Sequence, residues 1–210
     1  EGRDVGFDTT WFRDNVVLRL KEHGANLLRF HLGVPPERLL DLCDRYGLLV
    51  QYEWNFFHGM PASYESLMEQ YPKWFDHAAG HPSAALYHPY NETNKEELET
   101  AWKALDKIVK EYPPMVMEDR DVLHLHKYWW SLFEDIGLHY DSADQFRKAI
   151  MVDEFGGNYL DGNGNPGGYT TLKETFLRFL GRGHTKEERL RLQELSNGKI
   201  ARYSRRIGAA

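Results

Sequence analysis

At 210 residues the chain is long enough to bury one sizeable core, so a single domain over 1–210 is the expectation. A net charge of −6, from 32 acidic against 26 basic residues, disfavours nucleic acid or an anionic membrane as partner. No apolar run approaches membrane-spanning length, and the single Cys43 excludes an intrachain disulfide.

The acidic start, Glu1-Gly2-Arg3-Asp4, is no signal peptide, and the cytoplasm, periplasm and secreted space stay equally open as locations. Cys43 follows Leu39 by one helical turn, which predicts a buried, inert thiol. Aromatic residues make up 14% of the chain. Most of these rings serve the core, and a surplus of Trp and Tyr also suits stacking on the flat C–H faces of sugars.

In chain order, residues 11–23 read as a helix with Phe12, Val16 and Leu20 on one face and Gly24 as its stop. Residues 26–32 read as a strand. Pro35-Pro36 opens a helix to Tyr46, closed by Gly47, and 48–53 is the next strand. Residues 63–77 are helical, and 83–90 return to strand. A capping box at Thr93-Asn94-Lys95-Glu96 begins the clearest helix, through Tyr112, with Leu98, Trp102, Leu105 and Val109 as its stripe. Residues 115–117 and 122–128 are strands, 141–148 a short helix and 149–155 a strongly apolar strand. A Gly/Asn-rich loop covers 158–168, and helices follow at 171–180 and 186–206.

Strand and helix alternate along the whole length, which predicts an α/β fold with parallel strands under crossover helices. Polar residues gather at the C-terminal ends of these strands: Arg29 and His31, Glu53, Asn91 and Glu92, His126 and Tyr128, then Glu154. In a (β/α)8 barrel that rim is where chemistry is built. Glycoside hydrolysis needs two carboxyl groups flanking one bond, an acid/base and, in retaining enzymes, a nucleophile. Glu92 and Glu154 are the candidates. Glu154 on an apolar strand is hard to explain otherwise, because a buried carboxylate is costly without partners. Glu92 alone could equally be a first-turn acid favoured by a helix dipole.

The segments Gly24-Ala25-Asn26-Leu27-Leu28-Arg29-Phe30-His31, Pro35 to Leu49, His81-Pro82-Ser83 leading to Asn91-Glu92, and Asp153-Glu154-Phe155-Gly156 occur in an order that resembles glycoside hydrolase family 2. That family includes β-galactosidases, β-glucuronidases and β-mannosidases. The resemblance covers nearly the whole chain and implies a (β/α)8 TIM barrel, with Glu92 as acid/base and Glu154 as nucleophile of a retaining mechanism. It implies that Asn91 binds the sugar 2-hydroxyl, that Tyr128 positions the Glu154 carboxylate, and that Arg29, His31 and Glu53 line the floor. Trp54, His126 and Trp129 complete the expected substrate-binding set, one of Trp129 and Trp130 being an exposed sugar platform and the other buried. The implied ligand is a carbohydrate, with no cofactor and no metal.

The chain departs from the family at Tyr90, which bears on the shape of the sugar pocket, and at Asp153. Strict alternation along the strand points Asp153 outward. A full barrel takes about 250 residues, and neither a first nor a last strand is evident. The barrel is therefore expected to be incomplete, with strands or domains of a longer polypeptide, or further copies of the chain, as partners. Two other readings remain. His124-Leu125-His126 places two imidazoles on one strand face, as in metal-dependent hydrolase barrels. An inactive sugar-binding or structural fragment is the third. Asn197-Gly198-Lys199, similar to a glucuronidase signature, falls where a helix interruption is expected.

Overall fold

The computed structural model describes residues 8–56, 63–93, 95–113, 115–117, 120–128, 148–156, 160–167 and 176–208. The chain divides into two units, Glu1–Arg120 and Asp121–Ala210.

The first unit opens with α1 (Thr9–Phe12), capped by Asp8, whose carboxylate accepts the Trp11 amide at 2.8 Å. A π turn (Arg13–Val17) joins it to α2 (Leu18–Glu22). The wider turn shifts the apolar face by one position. Val17 is therefore fully buried, while the expected Val16 only packs alongside. Gly24, at φ 77°, turns the chain into β1 (Leu27–Phe30).

Helix α3 (Glu37–Tyr46) ends at left-handed Gly47 and leads to β2 (Leu49–Glu53). Helix α4 (Tyr64–Ala78) precedes β3 (Ala84–His88), and α5 (Lys95–Ile108) precedes the short β4 (Val116–Met117). All neighbouring strands pair in parallel, in the order β1-β2-β3-β4. Asn94 of the expected capping box lies outside the described residues.

Side chains alternate across these strands, so β2 and β3 present two different faces. Tyr52 and Tyr87 point to the helix layer. Tyr52 stacks on Trp74 of α4 at 5.4 Å, and Tyr87 meets Trp74 and Phe75 edge-on at 5.6 and 5.7 Å. Gln51, Glu53 and His88 occupy the opposite face and are buried there. The Cys43 thiol is also buried, and burial pushes it up to about 12, as an inert core thiol requires.

Asp44 fastens α3 to the entry of β3. Its carboxylate lies 2.6 Å from His81 Nδ1 and accepts the Ser83 amide at 2.8 Å.

In the second unit β5 (Val122–Tyr128) pairs in parallel with β6 (Ala149–Gly156). Residues 176–180 are helical, while 171–175, and residues 141–147 of the helix expected over 141–148, lie outside the described residues. The final helix, α6 (Lys186–Ile207), starts with a complete capping box between Thr185 and Glu188 and packs Ile200 on Ile150 and Val152. It runs through Asn197-Gly198-Lys199 without a break, so the expected interruption is not there. One glycine costs a helix only about 1 kcal/mol, which a helix of 22 residues absorbs. Arg189 ties this helix to the preceding loop by donating to the Gly164 carbonyl at 2.7 Å.

Burial alone would raise the Asp44 carboxyl, but hydrogen bonds from Ser83 and His81 outweigh it and hold the group below the ordinary carboxylate range. A depressed folded-state value means stability that is present at neutral pH and lost as pH falls through that value. We expect the urea midpoint to drop below about pH 4. Asp44→Asn should lower it at pH 7 and flatten the acid limb. An acid limb of unchanged slope in the variant would show that Asp44 contributes nothing there.

Candidate active site

Polar groups at the C-terminal ends of β1, β2 and β3 gather around a single carboxylate. Glu53 closes β2 with its side chain wholly buried, a position a carboxylate tolerates only when paired. Arg29 Nε of β1 donates to Glu53 Oε2 at 2.6 Å. The Leu32 amide donates to Oε1 at 2.9 Å, and His31 Nδ1 lies 3.2 Å from the same oxygen. His88 Nδ1 of β3 stands 3.5 Å from Oε2, and Gln51 Nε2 stands 3.2 Å from that His88 nitrogen.

Arg29 also reaches the residue before the candidate acid/base. Its second terminal nitrogen donates to Asn91 Oδ1 at 2.9 Å. Because guanidinium can only donate, this contact fixes which way the Asn91 amide faces. Asn91 is itself buried, and its backbone amide donates to the Phe56 carbonyl at 2.9 Å. Glu92 follows directly, exposed and at φ 46°. Non-glycine residues seldom adopt that left-handed region, and such outliers gather at functional sites. Leu32, whose amide serves Glu53, is the other such residue among those described, at φ 53°.

Two aromatic side chains near this rim also pack with the core of the first unit. Tyr90 is buried toward α5, where its hydroxyl accepts from Trp102 Nε1 at 2.8 Å. Trp54 sits edge-on to Phe56 and Tyr71, at 6.0 and 6.1 Å between ring centres.

In the second unit His126 of β5 pairs in register with Glu154 of β6. His126 Nδ1 lies 3.6 Å from Glu154 Oε2, and its Nε2 lies 3.6 Å from Asp153 Oδ2. The Asp153 side chain is fully buried, contrary to its expected outward direction. The cause is a bulge: His124 pairs with Met151 and His126 with Glu154, so β6 spends one more residue than β5 over that stretch. Alternation fails at a bulge, and both carboxylates meet one imidazole. The Tyr128 side chain and all of Trp129 and Trp130 lie outside the described residues, although the Tyr128 backbone pairs with Gly156.

As a metal pair, the His124 and His126 rings stand 5.5 Å apart, but no metal-capable cluster among the described residues includes His124. Asp41, Asp44 and His81 do converge, at the entry of β3, where Asp44 serves the fastening contact described above. Sequence reading missed Gln51 and His88. Their positions carried a signal, since alternation puts Gln51 on the same face of β2 as Glu53, and His88 on the same face of β3 as Leu86.

No family model matches the chain, and no curated protein matches it in sequence. Solved structures do match. A glycoside hydrolase family 2 β-galacturonidase from Eisenbergiella tayi covers 80% of this chain and 36% of its own, at 18% identity and TM-score 0.60. A β-glucuronidase from Bifidobacterium dentium covers 72% and 30%, at 17% identity and TM-score 0.58. A β-glucuronidase from Ruminococcus gnavus covers 72% and 32%, at 18% identity and TM-score 0.58. The chain spans about a third of the length of these solved chains. The likeness is one of fold: a parallel α/β architecture corresponding to part of a TIM barrel, as the strand–helix alternation led us to expect.

Removing one member of a buried ion pair leaves the other uncompensated. Glu53→Ala should therefore cost about 3–5 kcal/mol of unfolding free energy, read by urea denaturation. Replacing both partners, Arg29→Met with Glu53→Leu, should cost less than Glu53→Ala alone. A loss below about 1 kcal/mol for Glu53→Ala would mean that the pair is solvated like a surface bridge.

Proposed function

We propose that the chain, over 1–210, is the greater part of the catalytic barrel of a retaining glycosidase that removes terminal β-linked sugars, within a longer polypeptide. The observation that carries this reading is the buried Arg29–Glu53 pair holding Asn91 directly before a left-handed, exposed Glu92. It is supported by a fold shared with enzymes named as β-glucuronidases and a β-galacturonidase.

In this mechanism Glu154 attacks the anomeric carbon and forms a glycosyl ester while the bond to the leaving oxygen breaks. Glu92 gives its proton to that oxygen, then takes one from the water that cleaves the ester. The two carboxyl groups must then flank one bond at about 5–5.5 Å. Asn91, its oxygen committed to Arg29, offers its Nδ2 donor to a sugar hydroxyl, and Arg29, His31 and Glu53 form the floor. His126 lies beside the nucleophile. Trp54, Tyr128 and Trp129 complete the substrate-binding set. The metal-hydrolase reading is weaker, because both nitrogens of His126 face carboxylates rather than converging with His124 on a common point.

The two glutamates should fail differently. Glu154→Ala should abolish turnover of every nitrophenyl glycoside in a panel that includes β-glucuronide and β-galacturonide, and azide should restore part of it as a glycosyl azide of inverted configuration. Glu92→Ala should cripple hydrolysis of natural sugars yet spare the first step with dinitrophenyl leaving groups, which need no proton. Pre-steady-state release of dinitrophenol reads both. A burst from Glu154→Ala, or equal losses across leaving groups in Glu92→Ala, would show that the roles are wrongly assigned.

A further inference from the structure

The bulge in β6 places two neighbouring carboxylates against one side chain, and the reading of Glu154 as nucleophile gives that arrangement a purpose. We propose that Asp153 is a positioning residue: together with Glu154 it clasps His126, whose ring carries a proton on each nitrogen, so that the imidazolium fixes where the Glu154 carboxylate sits. The consequence for catalysis rests on the proposed glycosidase reading; the clasp itself does not.

Three observations lead to it. Consecutive strand residues normally point to opposite faces, so two adjacent carboxylates would not share a neighbour without the extra residue that β6 carries. The Asp153 side chain has no solvent exposure, and a carboxylate so placed needs a cation or several donors. Finally, the two ring nitrogens face different residues, Nε2 toward Asp153 and Nδ1 toward Glu154, each at 3.6 Å. These are ion-pair rather than hydrogen-bond distances; a neutral imidazole turns an N–H to one carboxylate and a lone pair to the other, whereas the imidazolium turns an N–H to both. The titratable groups facing His126 in this unit include Asp153 and Glu154 from β6 and His124, 5.5 Å away, from its own strand.

The clasp answers a problem particular to a nucleophilic carboxylate. Glu154 must be held still with one oxygen free to attack, yet a full positive charge devoted to it would draw electron density from that oxygen. Sharing the imidazolium with Asp153 holds the carboxylate in place and divides the charge. Asp153 does this without touching the substrate.

The test uses the full chain with 15N-labelled histidine and reads the ring nitrogens of His126 at neutral pH, assigned by comparison with His126→Gln. In the unmodified chain both nitrogens should show the protonated signature. In Asp153→Asn one should change to the bare, pyridine-like signature at the same pH, because one carboxylate is gone. A neutral ring in the unmodified chain would overturn the proposal even if Asp153→Asn failed to fold, and so would an imidazolium left unchanged by the substitution. In the active protein, Asp153→Asn should lower kcat and kcat/KM together by about tenfold or more, with KM nearly constant. A change confined to KM would overturn the positioning role. An imidazolium that depends on Asp153 in a protein that cleaves no glycoside would keep the clasp and remove the glycosidase reading.

Discussion

The burial of the Glu53 carboxylate is the constraint on which the first unit's rim depends. An ionised carboxyl group without water costs several kcal/mol unless donors surround it. Arg29 and the Leu32 amide donate to it, His31 and His88 stand beside it, and these groups come from β1, the segment after it and β3. One buried charge thus fixes the C-terminal ends of three strands relative to each other. Arg29 then passes this order to Asn91, and the chain leaves Asn91 through the left-handed Glu92. The aromatic layer of Tyr52, Trp74 and Tyr87 supplies the apolar support on the other face of the same strands.

The second unit reaches a similar end by a different device. Instead of a network of donors around one acid, β6 uses a bulge to bring two acids to one imidazole. Both devices sit at the C-terminal ends of parallel strands, where a barrel of this kind carries its chemistry. In both, a precise side-chain direction is set by burial, since a charged group out of water has few orientations that satisfy it.

Much of this was legible in the sequence, because the period of apolar residues and the Gly and Pro stops report local structure directly. The strands at Leu27–Phe30, Leu49–Glu53 and Ala84–His88 fall inside the ranges expected from pattern. Arg29, Glu53 and Asn91 stood out as polar groups at strand ends and prove to be in contact. What the pattern could not give was the effect of one residue gained or lost. The π turn at Arg13–Val17 moved the buried position from Val16 to Val17, and the bulge in β6 turned Asp153 inward. Each arises from hydrogen-bond register, which residue types do not announce. Gln51 and His88 escaped notice because a polar residue inside an apolar strand acquires meaning only when its neighbour across the sheet is known.

The central claim is that Glu154 forms a covalent bond to the sugar. A 2-deoxy-2-fluoro glycosyl fluoride slows the breakdown of that intermediate enough for it to accumulate and be located by peptide mass mapping. In the protein that carries this chain, one sugar should be found on the peptide containing Glu154, and Glu154→Gln should take up none. A sugar attached to another residue, or continued hydrolysis with inversion and no attached sugar, would contradict the account.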